Sequence, residues 1–136
     1  GDVMARDLRA AFGMRVFYLS GAAGASFTGV NAQELAYGFH AGEVETALLL
    51  SATPELVHPA EYTANYIADI ASPGLLLPEN GPATFAWLTR DIAPSGVMGD
   101  PHPATAESGA RWVEEASTQI AAALTAMFHY SNRHQP

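Results

Sequence analysis

The stretch HAGEVETALLL, residues 40–50, places one imidazole three residues before Glu43 and five before Glu45. An imidazole takes up and releases a proton near neutral pH, and a neighbouring carboxylate can orient it or help bind a substrate or a metal. Two readings of this spacing stand side by side. As an acid/base corner, His40 would face a substrate with a glutamate in support. As an ordinary helix start, Glu43 and Glu45 would occupy the first turn, where the helix dipole favours negative charge, and His40 would be solvated. Spacing does not choose between them, because both separations depend on how the Ala41-Gly42 corner bends. The HExxH pattern, which puts two histidines on one helical face, is absent. Asp100 and His102, in GDPHPAT, form a second pair. They have the donors of a metal site and also the prolines of a rigid turn leading into a helix. His58, His129 and His134 lie beside a proline bend or near the C-terminal end and read as solvated or dipole-compensating.

The elements that must position these residues follow from periodicity and punctuation. Residues 2–12 carry apolar side chains at Val3, Met4, Leu8 and Ala11 or Phe12, a helical spacing stopped by Gly13. Residues 14–19 (MRVFYL) form a β-branched and aromatic run, read as a buried strand. Helix, glycine, strand is the second half of a βαβ unit and predicts an α/β protein with helices covering a sheet. The strand that should precede the first helix is not in the chain, so the sheet is expected to be incomplete. Residues 20–30 (SGAAGASFTGV) follow that strand, where open α/β sheets carry ligand loops, but they do not match GxGxxG. A helix is predicted over 41–51, ending before Pro54. Residues 58–81 hold three prolines and two glycines and read as a surface excursion with one helical turn near 62–70. Residues 85–92 read as a strand or short edge segment. From Thr105, a plausible N-cap, to about His129, the residues Trp112, Ala116, Ile120, Leu124 and Met127 or Phe128 recur every three to four positions. That predicts one long amphipathic helix packed on the sheet.

Bulk composition removes several function classes. Fourteen acidic against six basic side chains give a net charge of −8, and no Lys/Arg cluster offsets it. Phosphate backbones and anionic membrane surfaces repel such a chain, so neither nucleic acid nor membrane is expected as a partner. With no cysteine, disulfides, thiolate nucleophiles and Cys-ligated metals are excluded. No signal-peptide pattern opens the chain, and a cytoplasmic location is expected. The 136 residues suffice for one domain. Their 15% charged content leaves little surface to solvate and points to coverage by another subunit.

Two motifs in order resemble the creatininase family of metal-dependent amidohydrolases. HAGEVETA at 40–47, followed by an apolar helix and PELV at 54–57, is similar to the family's H-x-G-x-x-E-T-S stretch and P-x-L-V close. GVMGDP at 96–101, followed by ATAE at 104–107 and Gly109, resembles the family's G-V-x-G-D-P and A-T-A-E-K-G segment before the final helix. ARDLR at 5–9 and residues 13–18 are also similar. The likeness runs along nearly the whole chain, read as a single creatininase-like domain over 1–136, its C-terminal part.

The resemblance implies a three-layer α/β/α fold with a mostly parallel sheet, incomplete here and completed by an N-terminal portion or a partner chain. It implies hydrolysis of a C–N bond in a small, often cyclic, amide. Relatives include formamide hydrolases on pyrimidine precursors and a peptidase that matures a ribosomal peptide cofactor. In this family a centre of one or two metals polarises the carbonyl and activates water, while the matched histidine, His40 here, shuttles a proton to the departing nitrogen. The matched Glu45 supports the site, and Tyr37 and Phe39 join it as substrate-contacting candidates. The family's metal ligands, in an N-terminal Glu/His/Asp group and an H-x-E or G-H-G-G-N loop, have no counterpart in the sequence. The divalent metal (Zn, Mn or Fe) is therefore expected on a companion polypeptide carrying the N-terminal half, within a closed oligomer. The other function class consistent with the same residues is a non-catalytic assembly subunit that kept the fold. Leu19 and Ala36 stand where creatinine-cleaving members carry tryptophans, which argues against creatinine itself. Ala47 replaces the usual Ser and Ser108 a common Lys.

Overall fold

The structure, a computed structural model, describes residues 2–19, 26–38, 40–67 and 82–133, and the backbone of 76–77. The chain divides into two compact units, Phe27–Val113 and the pair of terminal segments Gly1–Ser26 and Glu114–Pro136. The terminal unit begins with α1 (Asp2–Phe12), whose limits match the apolar spacing. Gly13 closes it at φ +64°, donating its N–H to the Arg9 carbonyl at 3.1 Å. A side chain strains in that left-handed conformation, which is why glycine ends the helix. No residue of α1 is buried, and Val3 and Phe12 are 70% and 72% exposed. Residues 14–19 pair with no strand among the described residues and stay partly exposed, with Phe17 edge-on to Tyr130 at 6.0 Å. Strand composition produces a ladder only where a neighbouring backbone offers donors and acceptors, and none among the described residues does so.

The larger unit holds the motif residues. The helix α2 (Ala32–Tyr37), which periodicity did not reveal, starts because the Asn31 side chain accepts the Glu34 N–H at 2.8 Å. Next, α3 (Glu43–Ala52) runs from Gly42 to Thr53, just before Pro54. Two 3-10 turns follow, Pro54–Leu56 and Pro59–Glu61. Residues 62–67 carry no helical turn, and 68–70 lie outside the described residues. The short strands β1 (Leu76–Leu77) and β2 (Ala83–Thr84) pair in parallel. Then α4 (Thr89–Ile92) replaces the expected edge segment, with Asp91 accepting the Leu88 N–H at 2.9 Å. The last helix, α5 (Ala106–Arg133), is capped by Thr105 as expected, through a 3.1 Å bond from the Ser108 N–H. The buried residues of α5 are Gly109 and Trp112, while Leu124 and Phe128 remain exposed. Along the predicted stripe Trp112 is buried and Ala116, Ile120 and Met127 are half-buried.

Two cores support this unit. Val30, Ala47 and Trp112 form one, with Phe27, Val44, Leu48 and Ala104 against them. Trp112 also donates from Nε1 to the Thr28 carbonyl at 3.0 Å, so its polar atom is satisfied. Ile92, Ala93 and Met98 form the second core, with Ile67, Phe85 and Trp87. Between the cores, the backbone of His40 exchanges hydrogen bonds with Met98 at 3.1 and 2.8 Å, and Asn65 does so with Gly99 at 2.9 and 2.8 Å. These two bridges tie three distant segments together beside the first turn of α3.

Candidate functional site

His40 stands just before the α3 corner, which Ala41 turns at φ +54°. That is left-handed backbone for a residue with a Cβ. The corner is held from within its own helix: the Glu45 carboxylate accepts the Ala41 N–H. The same oxygen lies 3.8 Å from His40 Nδ1. Glu45 thus holds the helix start and also faces the imidazole. The His40 side chain is 60% exposed and borders a cleft of about 430 Å³ lined by His40, Ala41, Glu45, Thr46, Leu48 and Leu49. An acid group at the rim of a largely apolar cleft can exchange protons with solvent and still reach a bound molecule.

Tyr37 is buried outside the lining of that cleft, at 6% exposure, and its hydroxyl has no hydrogen-bond partner among the described residues. Phe39 lies outside the described residues, as do 20–25 of the glycine- and alanine-rich loop and His134. Asp100 and His102 form a turn: Asp100 Oδ1 accepts the His102 N–H at 2.9 Å and lies 2.6 Å from Nδ1.

The residue that sequence reasoning missed is Glu34. It is 3% exposed. Its Oε1 accepts the N–H of Glu43, the first residue of α3, at 2.8 Å. Its Oε2 accepts the Tyr66 hydroxyl at 2.7 Å and the Asp100 N–H at 3.0 Å. Such bonds are what makes a buried carboxylate tolerable. The sequence signal was the Asn31-x-x-Glu34 cap pattern together with Gly38, Gly42 and Gly99. Cβ atoms at Gly38 and Gly42 would approach the Glu34 carboxylate to 2.3 and 1.9 Å. Gly99, at φ +148°, would bring one to 2.7 Å from Oε1 and 2.9 Å from the Gly42 Cα. These three glycines leave space that this carboxylate fills. Burial, then the charges of Glu34 and Asp100, raises the Glu43 carboxyl pKa above its usual value. Burial, then the bond to Glu34, raises that of Tyr66.

The Creatininase family model, described as creatinine amidohydrolase, matches residues 2–124. The chain belongs to this family. A crystal structure of a proposed creatinine amidohydrolase from Bacteroides fragilis NCTC 9343 is similar in fold, with a TM-score of 0.59 and 23% sequence identity. The match covers 92% of this chain and 48% of that one, so this chain spans about half the length of its structural relative. No curated protein matches the chain.

The two departures from the creatininase motifs have local explanations. Ala47 is fully buried against Gly109 and Trp112, where a hydroxyl would need a partner within the core. Ser108 joins the cap of α5, its Oγ taking bonds from Thr105 at 3.0 Å and Arg111 at 3.3 Å. A divalent cation, on which this family generally depends, does not fit the described residues of this chain. No three His, Asp or Glu side chains converge among them, and both Glu34 oxygens already accept N–H or O–H donors.

Proposed function

We propose that this chain is one portion of a metal-dependent amidohydrolase cleaving a non-peptide C–N bond of a small, possibly cyclic, amide, with His40 as the proton shuttle. The observation that carries this reading is the placement of His40: an exposed imidazole at the rim of an apolar-walled cleft, 3.8 Å from Glu45, in a chain of the creatininase family. An amide nitrogen leaves poorly until it is protonated. As water's hydroxyl joins the carbonyl carbon, the C–N bond breaks, its electron pair stays on nitrogen, and the imidazolium of His40 supplies the proton there. Glu45 orients the ring, while Leu48 and Leu49 receive the apolar part of the substrate. Phe39, next to His40 in the chain, adds a substrate contact in this proposal, while Tyr37 stays buried behind the corner. The zinc, manganese or iron belongs in this proposal to a companion segment, which also completes a three-layer α/β/α sheet within a closed oligomer. Support for the companion comes from α1 and residues 14–19, whose apolar side chains are exposed in this chain.

The test is amide hydrolysis by the assembled protein with His40→Ala. Loss of several orders of magnitude in kcat, with unfolding unchanged, is expected. Near-normal turnover would instead favour a non-catalytic assembly subunit.

A further inference from the structure

We propose that Glu34 is the positioning residue of the His40 corner: its buried carboxylate joins the start of α3, the Gly99-Asp100 turn and Tyr66, and so fixes where the imidazole stands. This rests on the proposed role of His40 and extends it to a residue that lines no part of the cleft.

His40 has few restraints of its own. Its ring is exposed, and its described partner, Glu45, is also more than half exposed. What holds its backbone is the pair of bonds to Met98. Met98 is followed by Gly99, paired with Asn65, and by Asp100, whose N–H goes to Glu34. On the other side, three residues after His40, the Glu43 N–H goes to the same carboxylate. Glu34 therefore grips the chain on both sides of the His40–Met98 bridge, from residues 9 and 66 positions away along the chain. Tyr66 adds a third tether, 32 positions away. Among the described residues no other side chain connects these segments.

Two backbone N–H groups face the two oxygens, one each. A carboxylate accepts at both positions. A glutamine has one acceptor and one NH₂ group, so in either orientation it sets a donor against a backbone N–H. The three glycines around the group also leave no slack for a larger or displaced side chain. Glu34→Gln, nearly identical in shape, should thus release one backbone tether and let the corner shift. Tyr66→Phe leaves both N–H bonds and removes only the hydroxyl, so it should have the same effect in smaller measure.

The experiment compares full-length protein carrying Glu34→Gln, Tyr66→Phe or Trp112→Phe, the last a core substitution that destabilises without touching the tethers. Three quantities are read: the unfolding midpoint, amide exchange at Glu43 and Asp100, and the His40 ring signal in proton–carbon NMR, assigned by its loss in His40→Ala. Glu34→Gln is expected to speed exchange at Glu43 or Asp100 about ten-fold and to move the His40 signal. Tyr66→Phe should move it the same way by less, and Trp112→Phe should leave it in place at a comparable loss of midpoint. An unmoved His40 signal in Glu34→Gln, or an equal movement in Trp112→Phe, overturns the proposal. If Glu34→Gln does not fold, Tyr66→Phe decides by the same criterion. In the assembled enzyme, kcat should fall about 100-fold in Glu34→Gln, with KM within about two-fold. If His40→Ala turns over normally while Glu34→Gln still moves the ring, the catalytic reading fails and the positioning role stands.

Discussion

Gly109→Ala sets two effects of opposite sign against each other. At a solvent-facing position of a helix, replacing glycine by alanine stabilises by about 1 kcal/mol, because the backbone loses less freedom on folding. Gly109 is not such a position. It is the point where α5 meets α3, and a Cβ there would lie 1.9 Å from the Ala47 carbonyl oxygen and 2.4 Å from its carbonyl carbon. Both are rigid helix backbone. Ordinary carbon–oxygen contact lies well over an ångström farther out, so one helix must move, and Trp112 and Val30 pack on the same Ala47. Overpacking a tight core costs about 1–3 kcal/mol, and the approach here is at the severe end of that range. The net expectation is a loss of about 2 kcal/mol or more. For a chain of 136 residues that is a fall of about 5–10 °C in the unfolding midpoint. Urea unfolding of Gly109→Ala beside Ala110→Gly reads the effect, since Ala110 is exposed one residue away and Ala110→Gly should lose about 1 kcal/mol by propensity alone. If Gly109→Ala matched or exceeded the native midpoint, the close approach of α3 and α5 described here would be wrong.

Glu43→Gln should stabilise the protein at neutral pH. The folded carboxyl has a raised pKa, so between the usual value of 4.5 and the folded value the native state holds more protons than the unfolded chain. Stability on account of this group therefore falls as pH rises through that window. The advantage of Glu43→Gln over the native protein should be greatest above the folded pKa and vanish below 4.5, as thermal unfolding at several pH values would reveal; an advantage that grew on acidification would contradict the buried, like-charged setting of Glu43. Ala41→Gly should raise stability by about 0.5–1 kcal/mol, because glycine tolerates the φ of +54° that alanine adopts under strain. A lower urea midpoint for Ala41→Gly would show that the Ala41 methyl contributes more than its backbone strain costs.

What the sequence determined by itself was local. Apolar spacing with a terminal glycine set the limits of α1 at 2–12. Thr105 and the periodicity after it announced α5, which runs four residues past His129 to Arg133. Pro54 stopped α3. The two motifs identified the family and pointed to His40 and Glu45, whose proximity is itself a matter of one helical turn and one corner. Short-range rules suffice for such features because every partner lies within a few residues. The tertiary structure alone decided the rest. Residues 14–19 have a strand's composition, but a strand needs a neighbouring backbone, and its identity is not written in the strand. Glu34 carries no local mark in the sequence beyond its place three residues after Asn31. Its meaning lies in Tyr66 and Asp100, 32 and 66 positions away, and in three glycines that admit a carboxylate only once the chain has folded back on itself. A buried charge becomes legible when its donors are found, and the donors here are backbone N–H groups that every residue type but proline carries.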